Sequence, residues 1–239
     1  MCNLKYVFLS IVFLPVIILQ GQETTSCDAV LDQLNEPDLI GDFYQPPLPM
    51  STVGSQFLYE NWLDGDIFLS NKNIVKKKII KYNAYHDIVI WLTPLNHQQV
   101  KLDNDYIDGF CLNDKSGVTH CFRKIPVKYD MSFDSITVFG EVLHESRISL
   151  FAYRKVVITG YEVDLTDYYR DIYDLTTLYL FKLENGKTIG FRSYRKRDII
   201  TLFPDKKEMI LAKLREIKQH RFRTEADLIK ITKALNEVL

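Results

Sequence analysis

From Trp62 to about Arg192, apolar positions either alternate with polar ones or run unbroken over short stretches, with turn residues between. That is the pattern of strands, whose side chains point alternately to two faces. GDIFLS and IVKKKIIKY flank Asn71, Lys72 and Asn73, which predicts a hairpin. DIVIWL follows after NAYH and is apolar through both faces, as in a strand covered on each side. QQVKL, IDGFCLN, VTHCFRKI, VFGEVLH, ISLFAYRKVVI, LYLFKL and TIGFR continue the series. The last two are joined by Glu184, Asn185, Gly186 and Lys187, and the Asn-Gly pair suits a type I′ turn. Lys76, Lys77 and Lys78 read as charges guarding an exposed strand edge.

After Arg192 the period changes to that of a helix. RKRDIITLF reads as a short helix stopped by Pro204. DKKEMILAKLREIKQ opens with Asp205 and Glu208 at capping-box spacing and carries Ile210, Leu214 and Ile217 on one stripe. Thr224 and Asp227 open a last helix with Leu228, Ile231, Leu235 and Val238 on one side. Strands followed by helices, without βαβ alternation, predict an α+β fold. The expected form is a curved antiparallel β-meander, an open or partial barrel, over about 62–192, followed by two to three C-terminal helices over about 194–239.

The N-terminal part has a different character. Lys5 precedes an apolar run from Tyr6 to Leu19 that contains Pro15, with small or polar residues after it. A membrane span needs about 20 apolar residues, so the run reads as a secretory signal peptide, residues 1–21, with cleavage after Gly21. An uncleaved anchor and lipidation at Cys27 within TTSC are the lesser alternatives. Residues 22–53 hold a short helical pattern at 28–34 and then YQPPLPM, whose prolines suit an extended strap anchored by Phe43, Tyr44 and Leu48. Residues 54–239 form the single α+β domain.

Charge is balanced, with 30 Lys+Arg against 31 Asp+Glu, so nothing global points to nucleic acid. No Asn-x-Ser/Thr sequon occurs, which favours a bacterial envelope over a eukaryotic secretory route. G-x-S-x-G, Walker and G-x-G-x-x-G motifs are absent, and the five histidines, His86, His97, His120, His144 and His220, are scattered. No cofactor or metal is expected, and catalysis is the less favoured reading.

Three stretches merit a chemical reading. In FCLNDKSGVTHCF, a type I turn over Asp114 to Gly117 with a bulge at Gly117 pairs Asp114 with Val118. Counting outward then sets Cys111 opposite Cys121, close enough for a disulfide. In an oxidising compartment the pair reads as a staple, with two buried thiols as the alternative. LDNDYIDG, with Asp103, Asp105 and Asp108, partly fits a calcium loop, but the third acid is one place late and the bidentate Glu is missing. It reads first as an acidic turn. In DLTDYYRDIYD, helical spacing would put Asp164, Asp167, Asp171 and Asp174 on one face and Leu165, Tyr168, Tyr169 and Ile172 on the other. That makes Asp164, Asp167, Tyr168, Tyr169, Asp171 and Tyr173 a candidate binding edge.

GDIFLSNKNIV followed by IIKYNAYHDIVIW, and later LFPDKK before an amphipathic helix, resemble an arrangement in an uncharacterised family of exported Gram-negative bacterial proteins. Tyr82, Asn83, Tyr85 and Asp87 carry the first likeness, and Leu202 to Lys207 the second. The resemblance implies export and this type of fold, and brings no activity. The leading expectation is therefore a non-enzymatic binding domain of the periplasm or outer membrane, contacting an unknown envelope protein or small ligand. A carrier of an apolar ligand inside the curved sheet comes second, and a hydrolase with a site assembled from distant residues third.

Overall fold

The alternating stretches become eleven strands in a computed structural model that describes residues 39–45, 52–128, 135–163, 169–191, 200–216 and 224–238. They are β1 Gly41–Phe43, β2 Leu63–Leu69, β3 Ile74–Asn83, β4 Ile88–Leu92, β5 Gln99–Leu102 and β6 Ile107–Asn113. Then come β7 Thr119–Lys128, β8 Ser135–His144, β9 Ser149–Val163, β10 Tyr169–Lys182 and β11 Thr188–Phe191. One open antiparallel sheet takes the order β1-β5-β4-β3-β2-β6-β7-β8-β9-β10-β11. After a helical turn at 200–202 and a 3-10 turn at Pro204–Lys206 follow α1, Lys207–Glu216, and α2, Glu225–Val238. The fold is α+β, a curved open sheet and then helices, as the change of period predicts. Residues 1–21, expected to be a signal peptide, the helical pattern at 28–34, Cys27, Leu48 and residues 192–197 lie outside the described residues.

Gly41–Phe43 adds a strand to β5, Val53 bridges Ile172 of β10, and Phe57 bridges Asn83 of β3, while Pro46, Pro47 and Pro49 of the expected strap lie outside the described residues. Residues 53–57 thus tie the end of β3 to β10. One expectation needs correcting. The lysine run is not on an edge strand, because β3 lies between β4 and β2. It protects a local edge instead: β4 pairs only with Ile80 to Asn83, so residues 74–79 project beyond it.

Strict alternation gives the sheet an apolar set on each face. Inward-facing Ile67, Ile80, Tyr82, Phe110, Leu112, Phe122, Phe139 and Val156 form one core. Phe110 and Phe122 are stacked with centroids 4.7 Å apart, and Tyr82 tilts against both. Each such ring contributes about 1.5–3 kcal/mol through burial, and each aromatic pair roughly 0.5–1.5 kcal/mol more. Farther along the same face, Leu150 and Phe181 pack under Ile210 and Leu214 of α1 and Leu228, Ile231 and Leu235 of α2. The outer face of β7 to β10 holds a third core of Ile125, Val127, Val138, Phe151, Tyr153 and Leu180. There β11 approaches β7. β7 therefore serves two cores, one on each face.

Helix α2 is fastened at both ends. Thr224 Oγ1 accepts from the Asp227 N–H, and the Asp227 carboxylate accepts from the Thr224 N–H, each at 3.2 Å. Near its other end, the Asn236 side chain accepts from the Ile148 N–H and donates to the Ile148 carbonyl, both at 2.8 Å. The expected capping box of α1 is replaced by the 3-10 turn from Pro204, which leads directly into the helix.

Candidate functional site

Tyr82, Asn83, Tyr85 and Asp87 do structural work. β8 and β9 are paired only between residues 141–144 and 150–152, and beyond that they diverge. The β3–β4 turn fills the gap, with the Val156 N–H donating to the Ala84 carbonyl at 3.2 Å. Asn83, fully buried, accepts from the Tyr85 and His86 N–H groups at 3.1 and 3.0 Å and donates to Gln56 at 3.2 Å. Asp87 accepts from the buried Tyr82 hydroxyl and, at 3.4 Å, from the Phe139 N–H. Burial pushes the Asp87 carboxyl up, more than the Tyr82 hydrogen bond pulls it down. Burial and the adjacent Asp87 push the Tyr82 hydroxyl up strongly. Tyr82, Asn83, Tyr85 and Asp87 thus lock a turn into the seam of the sheet.

The cysteine pair sits where the turn count puts it. Asp114 and Val118 are hydrogen-bonded at 2.9 Å, Gly117 has φ of 83°, and Cys111 faces Cys121 with Cα atoms 4.0 Å apart. The sulfurs lie at disulfide distance, 2.02 Å. The bond lies on the outer face, because inner-facing Phe110 and Phe122 are the neighbouring pair.

His120, pointing inward, belongs to a polar seam that no sequence motif announced. Its Nδ1 lies 2.7 Å from Glu141 and its Nε2 3.4 Å from Asp114. Glu141, nearly buried, also accepts from Arg154 at 2.7 Å, and Arg154 reaches Glu225 of α2 at 2.5 Å. The Tyr179 hydroxyl donates to Glu225 at 3.0 Å. Desolvation would depress Arg154, but hydrogen bonds and charge from Glu225 and Glu141 raise it well above the ordinary guanidinium value. Burial, reinforced by Glu141, pushes the neighbouring Tyr59 up to about 12. Asp114 is held down at about 2 by the Ser116 hydroxyl and the Val118 N–H. The seam lies between the aromatic core and the helix-covered core, and fastens α2 to the sheet. Its members are distant in sequence, so only the register of β7, β8 and β9 could have revealed them. Asp103 caps the 3-10 turn Asn104–Tyr106. Among the described residues no group of three or more His, Cys, Asp and Glu side chains is placed to hold a metal.

The candidate binding edge is brought together in a different form. Asp164, Asp167 and Tyr168 lie outside the described residues, while Tyr169, Asp171 and Tyr173 belong to strand β10 and not to a helix. The β-branched and aromatic side chains of TTLYLF favour strand, and β9 supplies a long antiparallel partner. Alternation puts Tyr169, Asp171 and Tyr173 on one face and Asp174 on the other, which breaks the expected row of four acids. A bulge near Thr159, at the Ile172/Tyr173 register shift, lets both Ile158 and Tyr161 join Tyr173 and Asp171 on that face. Tyr161 and Tyr169 pack at 5.3 Å. The opposite face is polar: Thr159 donates to Asp174 at 2.6 Å, and Arg170 pairs with Glu162 at 3.8 Å. The far half of the hairpin is therefore amphipathic yet solvated. Ile158, Tyr161, Val163, Tyr169 and Leu175 are all exposed, from 42% at Ile158 to 69% at Tyr169.

The chain matches no family model, no curated protein and no solved structure. No helix among the described residues is long and apolar enough to cross a membrane.

Proposed function

We propose that this protein is an exported cell-envelope domain that works by binding, and that the far half of the β9–β10 hairpin is its contact surface. The observation that carries this reading is the row of exposed Ile158, Tyr161, Val163, Tyr169 and Leu175 on one face of a hairpin whose other face is polar. Contiguous exposed apolar patches rimmed by polar residues mark interaction sites. Export is supported by the N-terminal apolar run and by the outward Cys111–Cys121 pair, which suits an oxidising compartment.

A carrier role is the second reading. Inside the curved sheet, Tyr82, Phe110, Phe122 and Phe139 occupy the space a ligand would need. A hollow of about 490 Å³ does lie at the rim, lined by Ile148, Leu183, Leu202, Phe203 and Pro204 with charged neighbours, and is of ligand size. The hydrolase reading draws no support from the polar seam, where His120 has both ring nitrogens engaged by carboxylates.

Cross-linking in the envelope fraction, with the native chain beside Tyr161→Ser/Tyr169→Ser, tests the binding role. Specific adducts should disappear in the variant. Identical adducts from both chains, or a protein that stays in the cytoplasm, would overturn it.

A further inference from the structure

Among the described residues the exposed face of the hairpin carries one charge, and its setting is specific. Asp171 is directly opposite Tyr161 in the β9–β10 register, and Tyr169 and Tyr173 stand two residues to either side on the same face. Side chains directly opposite have Cβ atoms about 4.5–5.5 Å apart, so the carboxylate is flanked by tyrosine rings. Tyr161 and Tyr169 meet at an interplanar angle of 61° with centroids 5.3 Å apart, so the two rings do not form one flat platform. Tyr173 is braced from behind by the ring of Tyr85 at 5.3 Å and by a 3.0 Å hydrogen bond from Gln56.

The neighbouring cations are committed elsewhere. Arg170 points to the other face and pairs with Glu162, and Lys155 donates to the Tyr85 carbonyl. Among the described residues, no cation partner of Asp171 is found.

We propose that Asp171, Tyr161 and Tyr169 form a receptor for an organic cation, the lysine or arginine side chain of a partner polypeptide. This rests on reading the hairpin as a contact surface, and names what that surface selects. A carboxylate beside tyrosine faces recognises an ammonium or guanidinium twice, through charge and through the ring quadrupole. Ile158, Val163 and Leu175 alongside supply apolar area for the rest of a strand-like segment. Charge argues against the other occupants. A second copy would bring Asp171 against another acidic face, and an anionic membrane would repel it.

The test uses the purified protein and a fluorescein-labelled dodecapeptide of alternating Lys and Val, with the same peptide fully acetylated on its lysines as the neutral counterpart. Acetylation removes the charge and keeps the chain. Anisotropy should show the charged peptide binding roughly tenfold more tightly than the acetylated one, the scale of one desolvated cation–π contact with its carboxylate. Asp171→Asn and Tyr161→Leu/Tyr169→Leu, the latter keeping apolar area without the ring faces, should each erase that preference while leaving the melting temperature unchanged.

Equal binding of both peptides would overturn the cation receptor while leaving the hairpin as a contact surface. Preference that survives both variants would place the cation elsewhere and overturn it too. Tyrosine-dependent binding to phosphatidylglycerol vesicles, or dimers abolished by Tyr161→Leu/Tyr169→Leu, would replace the polypeptide with a lipid surface or a second copy. Loss of the envelope adducts alongside equal peptide binding separates this proposal from the broader one.

Discussion

Arg154→Met removes the cation that joins the sheet to α2, and its cost can be worked from the geometry. Arg154 contacts Glu141 at 2.7 Å and Glu225 at 2.5 Å, with side-chain exposures of 8% and 35% for the two acids. Removing one partner of a buried pair costs about 3–5 kcal/mol, because the other charge stays in place without compensation. The Glu225 arm is a third exposed, so it adds only about 0–1 kcal/mol after solvent screening. His120 remains beside Glu141 and softens the loss, so the expected total is about 3 kcal/mol. For a unit of this size that lowers the melting temperature by roughly 6–12 °C. Urea unfolding at neutral pH, following the two Trp residues, gives the free energy, and the slope with denaturant should not change. Arg154→Met/Glu141→Gln should recover at least about 1 kcal/mol of the loss, since the stranded charge is gone. The pH dependence has a definite sign. Desolvation alone would raise the Glu225 pKa, but the Arg154 hydrogen bond and charge outweigh it and hold the folded value below that of an ordinary glutamate. Stability from that pair is present above the unfolded value and is lost as pH falls through the folded one. The native protein should therefore weaken more on acidification than Arg154→Met. A loss below about 1 kcal/mol, or strictly additive single variants, would refute the seam as an α2 fastening.

Cys111→Ser/Cys121→Ser should lose up to about 3 kcal/mol by chain entropy, and less where the Asp114–Gly117 turn already restrains the loop. Melts with and without reductant on the native chain check this, and coincident curves would count against a staple. Asn83→Ala strands the Tyr85 and His86 N–H groups, at about 1–3 kcal/mol for each that stays buried, and urea midpoints should fall accordingly. Gly140→Val should destabilise more than Gly117→Ala. A Cβ at Gly140 would come within 2.4 Å of Ile125 and 3.2 Å of Phe151, while one at Gly117 meets nothing and bears only its φ of 83°. About 1–3 kcal/mol against about 1–2 kcal/mol is the expected order in paired thermal melts, and the reverse order would contradict the outer-face packing.

Alternation and turn chemistry made most of the sheet legible. The Asp114–Gly117 turn even specified which cysteines meet, because a hairpin with a known turn has a countable register. The shift to helical period marked Ile210, Leu214, Leu228, Ile231 and Leu235, all of which are buried. Residues 169–174 misled, because acids at spacings of three and four satisfy a helix on paper. A long partner strand in β9 decides against it, and partner strands leave no mark in a local window. The polar seam was invisible for a related reason. His120, Glu141, Arg154 and Glu225 come from separate elements, and only tertiary register makes them neighbours. Likewise, Tyr82, Asn83 and Asp87 form a legible pattern, but their task depends on where β8 and β9 part.

The double duty of β7 gives the disulfide a role in holding strand register. With one core on each face, a one-residue slip of β7 against β6 would turn Phe122 outward and Ile125 inward, emptying both cores at once. The same slip would carry Cys121 to the opposite face from Cys111, and a two-residue slip would move it beyond bridging reach. Of these registers, only the native one brings Cys111 and Cys121 within bridging reach. The bond is in this sense a register lock: it fits only where β6 and β7 pair natively, and it holds both cores to that pairing.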